Sequence, residues 1–137
     1  IADAWQSSID AAAIAHRVAL YEGDGTALRC LVAVADACLD APLSGAGAVH
    51  PVRAARVWLD AWQLTGRRKY LNAAVRRFND FDIVRRADRL PDAAAATKDV
   101  SSDYLRDVRT LEETDTLIRL VSAMNRERYI EPSMPVE

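Results

Sequence analysis

The sequence predicts an all-α fold, a compact bundle of five to six helices arranged as stacked antiparallel αα-hairpins, and three observations point to it. Apolar residues recur at spacings of three and four through almost the whole chain, the signature of amphipathic helix, and no stretch alternates as a strand would. Helix formers dominate, while Gly and Pro number only five each. Residues 14–36 laid over 57–79 pair Ile14 with Val57, Val18 with Ala61, Tyr21 with Leu64, Gly23 with Gly66, Leu28 with Leu71, Val32 with Val75 and Ala35 with Phe78, so one hairpin reads as repeated after about 43 residues. Each copy carries a Gly where the periodicity breaks, because Gly enters the left-handed region just past a helix end without a Cβ clash. The overlay fits a true repeat, in which each hairpin has an apolar face it cannot bury alone, and equally two amphipathic hairpins aligned by packing chemistry.

Taken in order, the first helix is expected from Asp3 to Tyr21, with Trp5, Ile9, Ala12, Ala13, His16, Ala19 and Leu20 along one stripe. A second starts near Thr26, whose hydroxyl can cap it, and is apolar nearly all round from Leu28 to Leu39. A helix without a polar face is normally surrounded by its neighbours, so this one is expected at the centre of the bundle. Residues 41–49, with Pro42, Ser44, Gly45 and Gly47, form the connector between hairpins. Pro51 opens a third helix, since a missing amide costs nothing at a first helical position, and Val52, Ala55, Trp58, Leu59 and Trp62 make its stripe.

After Gly66 the fourth helix sets Tyr70, Leu71, Ala74, Val75, Phe78 and Phe81 on one side. A register slip is expected around Asp82, then a short helical turn from Ile83 to Arg89 ended by Pro91, and a link over 92–100. The last helical region, capped from Ser101, Ser102 or Asp103, carries Leu105, Val108, Leu111, Leu117, Leu120, Val121 and Met124. Thr114-Asp115-Thr116 interrupts it, so it reads either as one long helix or as two.

With 137 residues, half of them apolar, the chain can bury a core without metals or disulfides, as a single domain over 1–130 followed by an extended tail over 131–137. The most hydrophobic run, Ala27 to Leu39, is broken by Arg29 and Asp36 and is too short to span a bilayer, so no membrane partner is expected. Cys30 and Cys38 stand about 12 Å apart along one helix, beyond the roughly 7 Å a disulfide bridges. Free buried thiols favour the cytoplasm; a first residue of Ile1 in place of Met keeps secretion open.

Raw material for catalysis is scarce, and no catalytic residue, metal site or cofactor is expected. His16 falls on an apolar stripe as a packed histidine would, and His50 precedes a proline as an exposed or capping residue. Gly23-Asp24-Gly25 lacks the strand a phosphate loop needs. Glu112, Glu113 and Asp115 read as a solvated acidic face, because no Glu-x-x-His arrangement accompanies them. Asp36 is out of place in so apolar a helix, which suggests a cationic partner, a helix end or a point facing a ligand.

Charge is uneven although the total is −2: residues 1–45 net −4, 46–96 net +5 and 97–137 net −3. The central excess comes from Arg67, Arg68, Lys69, Arg76, Arg77, Arg85, Arg86 and Arg89, a set that can hold carboxylate or phosphate or complement the acidic segments of another copy. A nucleic-acid binder more often has a basic isoelectric point, and this one is near 5.7.

The run from Ala54 to Ala74, with Leu64-Thr65-Gly66, a short spacer and Tyr70-Leu71, resembles hairpins of α/α-toroid carbohydrate-active enzymes. The likeness covers 21 of 137 residues and implies stacked-hairpin architecture; the acidic catalytic residues of those families have no counterpart here. Similar hairpins occur in tetratricopeptide-like scaffolds, whose full consensus is also absent.

The leading functional expectation is a non-catalytic interaction module that binds a protein partner or self-associates as a homodimer or larger oligomer, through the arginine-rich surface. The alternative is a small-ligand or carbohydrate-active protein with a pocket between the hairpins, lined by Tyr21, Trp58, Trp62 and Tyr70 with polar contacts from His16 or Asp36. A third reading is a nucleic-acid-binding regulator using residues 67–89.

Overall fold

The computed structural model describes residues 4–92 and 100–127, with side chains over 4–81 and 111–127. Five helices make up the described chain: α1 (Gln6–Glu22), α2 (Gly25–Asp40), α3 (Pro51–Thr65), α4 (Arg68–Asp92) and α5 (Val100–Glu127). No strand occurs among the described residues. The helices pack as a bundle, α1 against α2 and α3 against α4, with α3 also touching α1, α2 and α5.

Both hairpins turn on glycine. Gly23 and Gly66 adopt φ of 67° and 69°, and their amides donate to Ala19 O and Trp62 O, closing α1 and α3 in the same left-handed cap. The equivalence stops at the turns. Val57 is buried where Ile14 is exposed, and Tyr21 is 81% exposed where Leu64 is half-buried, so the two copies share a backbone plan and differ in what they bury.

The centre of the bundle is α3, and the expectation that α2 would occupy it is overturned. Nine of the 15 residues of α3 are buried, including Trp58, Leu59 and Trp62. In α2 only Leu31, Ala35 and Cys38 are buried, while Cys30, Ala33, Ala37 and Leu39 reach the surface. The physical reason is area. The outer face of α2 is made largely of small side chains whose burial gains little, whereas each indole of α3 withdraws on the order of 200 Å² from water. The indole Nε1 of Trp58 donates to Ala35 O at 3.0 Å and ties the two helices together.

Helix ends differ in detail from expectation. Asp24, not Thr26, caps α2, its Oδ1 accepting from the amides of Thr26 at 2.8 Å and Ala27 at 3.2 Å. His50 caps α3 through Nδ1, which accepts from Val52 N, with Pro51 at the first position. The first helix begins at Gln6, later than expected, and Trp5 fixes its start by donating from Nε1 to Gly47 O in the loop at 2.8 Å.

The fourth helix has no break at Asp82 and runs one residue beyond Pro91. The fifth is one continuous helix through Thr114-Asp115-Thr116. Thr116 is fully buried there, and its Oγ1 donates to Glu112 O at 2.9 Å, so the hydroxyl is satisfied inside the helix and need not end it. Most of the expected link, residues 93–99, and the expected tail, 131–137, lie outside the described residues. No helix among the described residues is long and apolar enough to cross a membrane.

The two cysteines part company. Cys38 is buried and its thiol is pushed up to about 11, while Cys30, expected to be buried as well, is exposed. Desolvation penalises the thiolate and leaves the neutral thiol favoured. Iodoacetamide at neutral pH is therefore expected to alkylate the exposed Cys30 much faster than Cys38, whose thiol is both buried and held neutral. Peptide mass spectrometry over a time course measures both rates, and equal rates would contradict this packing.

Candidate functional site

Three helices meet around a buried carboxylate. Asp60, on the buried side of α3, accepts from Arg119 Nη2 of α5 at 2.5 Å and lies 3.8 Å from His16 Nε2 of α1. His16 Nε2 donates to Gln63 Oε1 at 2.8 Å. Beside this node a polar cleft of about 580 Å³ opens between α1, α3 and α5, with Tyr21 at its rim. Arg53 donates to Gln6 Oε1, and Arg56 stands 3.4 Å from Glu112 and 3.8 Å from Asp115. Of the acidic residues of α5 expected to form a solvated face, Glu112 and Asp115 thus stand beside a cation of α3, with the Asp115 side chain 58% exposed. Asp60 with Arg119 and Arg56 with Glu112 pair across this cleft, an inter-helix ionic clamp among the described residues.

A second cluster explains Asp36. Tyr70, fully buried in α4, donates its hydroxyl to Asp36 Oδ1 at 2.8 Å, and Lys69 Nζ lies 3.3 Å from the same oxygen and 5.0 Å from the Tyr70 ring centre. The Tyr70 hydrogen bond, then the Lys69 charge, hold the Asp36 carboxyl below its usual range. Burial, reinforced by Asp36, raises the Tyr70 phenol. Asp36 is the hydrogen-bond acceptor a buried tyrosine requires.

The six residues expected to line one pocket do not converge. His16 and Tyr21 belong to the α1–α3–α5 cleft, Asp36 and Tyr70 to the cluster on α2 and α4, and Trp58 and Trp62 are core. The arginine-rich set also divides. Arg67, Arg68, Lys69 and Arg76 are exposed, Arg77 is half-buried and donates to Leu43 O at 2.7 Å, and the side chains of Arg85, Arg86 and Arg89 lie outside the described residues. Lys69, Arg76 and Arg77 share the wall of a separate pocket of about 450 Å³ between α4, the end of α2 and the 41–49 loop. Among the described residues no three His, Cys, Asp or Glu side chains group as metal ligands.

The feature least expected from the sequence is the outer face of α5. Toward the core this helix buries Thr116, Leu120 and Ala123. Four other large apolar residues point the other way: Leu111 is 70% exposed, Ile118 59%, and Leu117 and Val121 about half. Leu111, Thr114, Ile118, Val121 and Asn125, all exposed, recur at spacings of three and four as a single seam. Leu117 and Val121 continue into an apolar groove of about 370 Å³ shared with Val75 and Phe78 of α4. The seven-residue interval between Leu111, Ile118 and Asn125 is the sequence signal that would have separated this seam from the core stripe. No protein-family model, curated protein or solved structure matches the chain.

Proposed function

We propose that this protein is a helical interaction module that self-associates through the outer face of α5. The observation that carries the reading is the division of that helix, which turns Thr116, Leu120 and Ala123 into the core and leaves Leu111, Ile118 and Val121 in water. A contiguous exposed apolar surface of this kind marks a contact site.

A second copy is the occupant that fits the seam. Leu111, Ile118 and Asn125 stand at a-type heptad positions and Thr114 and Val121 at d-type positions. In a parallel pair Ile118 meets Ile118 and Asn125 meets Asn125, the polar a-position pairing that fixes register in dimers. The flanking positions, Asp115, Leu117, Ser122 and Met124, carry one charge between them, so two copies approach without facing blocks of like charge. Arg119 and Glu112 are turned to the clamp on α3.

Sedimentation velocity tests the reading directly. The wild-type chain is expected to dimerise with rising concentration, and Ile118→Asp to sediment as a monomer with unchanged helical circular dichroism. A wild-type chain that remains monomeric throughout, or an Ile118→Asp chain that dimerises as well as the wild type, would overturn it.

A further inference from the structure

We infer that the pocket between α2, the 41–49 loop and α4 binds a single-chain amphiphile with an anionic head, of which a medium-chain carboxylate is the simplest form. Its floor and far wall are apolar, built from Leu39, Pro42, Leu43, Val49 and Trp58. One stripe of α4 supplies the near wall, because Lys69, Asn72 with Ala73, Arg76 with Arg77, and Asp80 follow one another at helical spacing. Its volume of about 450 Å³ suits a small organic ligand.

The polar groups of this wall are unevenly engaged, and that imbalance names the head group. Lys69 is paired with Asp36, and Arg77 spends one nitrogen on the Leu43 carbonyl. Arg76 makes no ion pair or hydrogen bond among the described residues, although Asp80 lies one turn further along the helix. An exposed guanidinium at the mouth of an apolar pocket presents a planar pair of donors suited to a carboxylate or phosphate edge.

Neither simpler class of ligand uses the whole site. An inorganic anion would leave the apolar floor uncovered, and a neutral hydrocarbon would leave Arg76 without a counter-charge. Leu43, 76% exposed on the lip, is the residue an alkyl chain would cover. Its loop is held to α4 by Arg77, so the wall stands formed before a ligand arrives.

Trp58 in the floor makes binding visible by intrinsic fluorescence, and calorimetry supplies the affinity. Decanoate is expected to bind saturably below its micellar range, decanol at least about tenfold more weakly, and acetate not measurably. Decyl phosphate in place of decanoate separates the two head groups that share this chemistry, and binding of either supports the site. Arg76→Gln is expected to weaken decanoate about tenfold and leave decanol unchanged, and Ala73→Phe to abolish both while retaining helical circular dichroism. The same titration on Ile118→Asp, which removes the apolar seam of α5, is expected to be unaltered. Loss of binding in that variant, equal binding of decanoate and decanol, indifference to Arg76→Gln, or no saturable binding by either anionic probe would each overturn the assignment.

Discussion

Trp58→Ala is expected to lower the free energy of unfolding by about 3–5 kcal/mol, the range for deleting a large buried aromatic side chain. The indole is 4% exposed in the most buried helix of the bundle, and its Nε1 donates to Ala35 O. Alanine removes both, leaving a cavity between α2 and α3 that the neighbouring main chain fills only in part. Trp58→Phe keeps most of the volume and loses the hydrogen bond, so about 1–2 kcal/mol is expected there. Urea titration reads both as a fall in midpoint at constant slope. Ala33→Ser on α2 is the counterpart: Ala33 is exposed, so its cost stays within about 0.5 kcal/mol. A large cost at Ala33 with a small one at Trp58 would mean that α2, not α3, occupies the centre.

Arg119→Met is the second large effect, expected at about 2–4 kcal/mol. Breaking a buried pair is costly because the partner keeps its charge without compensation. The Asp60 side chain is 13% exposed and that of Arg119 31%, so removing the arginine strands the more buried member. Asp60→Leu strands the more exposed one, which water can reach, and is expected to cost about 1–2 kcal/mol less. The double variant Asp60→Leu with Arg119→Met is expected to recover part of the loss, since replacing both members of a buried pair is often close to neutral. A double-mutant cycle by urea unfolding isolates the coupling, and strictly additive costs would show that the clamp does not join α5 to α3.

Turn chemistry and helix period were legible in the chain. Gly23 and Gly66 fall where the three-and-four spacing stops, Pro51 stands at a first helical position, and Trp58 and Trp62 lie one helical turn apart, so the hairpins and the aromatic core of α3 follow from local rules. The rank of α2 did not, because counting apolar residues overrates a helix whose outer face is Cys30, Ala33 and Ala37. Burial scales with area, and small side chains offer little.

The site residues were harder to read for a different reason. Asp60 and Arg119 are separated by 59 positions, and His16 and Gln63 by 47. No local pattern announces such pairs, which form only once three helices meet. Tyr70 and Asp36, both expected at a ligand pocket, satisfy each other through a hydrogen bond, and 34 positions separate them in the chain. The seam of α5 was hidden by its own hydrophobicity. Apolar count alone does not divide Leu111, Leu117 and Val121 from Leu120, because the core side of the helix is taken in part by Thr116 and Ala123.

Disulfide trapping tests the central claim, that a second copy covers the outer face of α5, most directly. In a Cys30→Ser background, Ile118→Cys places a thiol at the middle of the seam, where it meets its counterpart in a parallel pair. Mild oxidation is expected to convert this variant rapidly to a covalent dimer on non-reducing electrophoresis, while Glu22→Cys in the same background, exposed at the end of α1, stays monomeric. An Ile118→Cys chain that remains monomeric, or one that cross-links no faster than Glu22→Cys, would contradict the account.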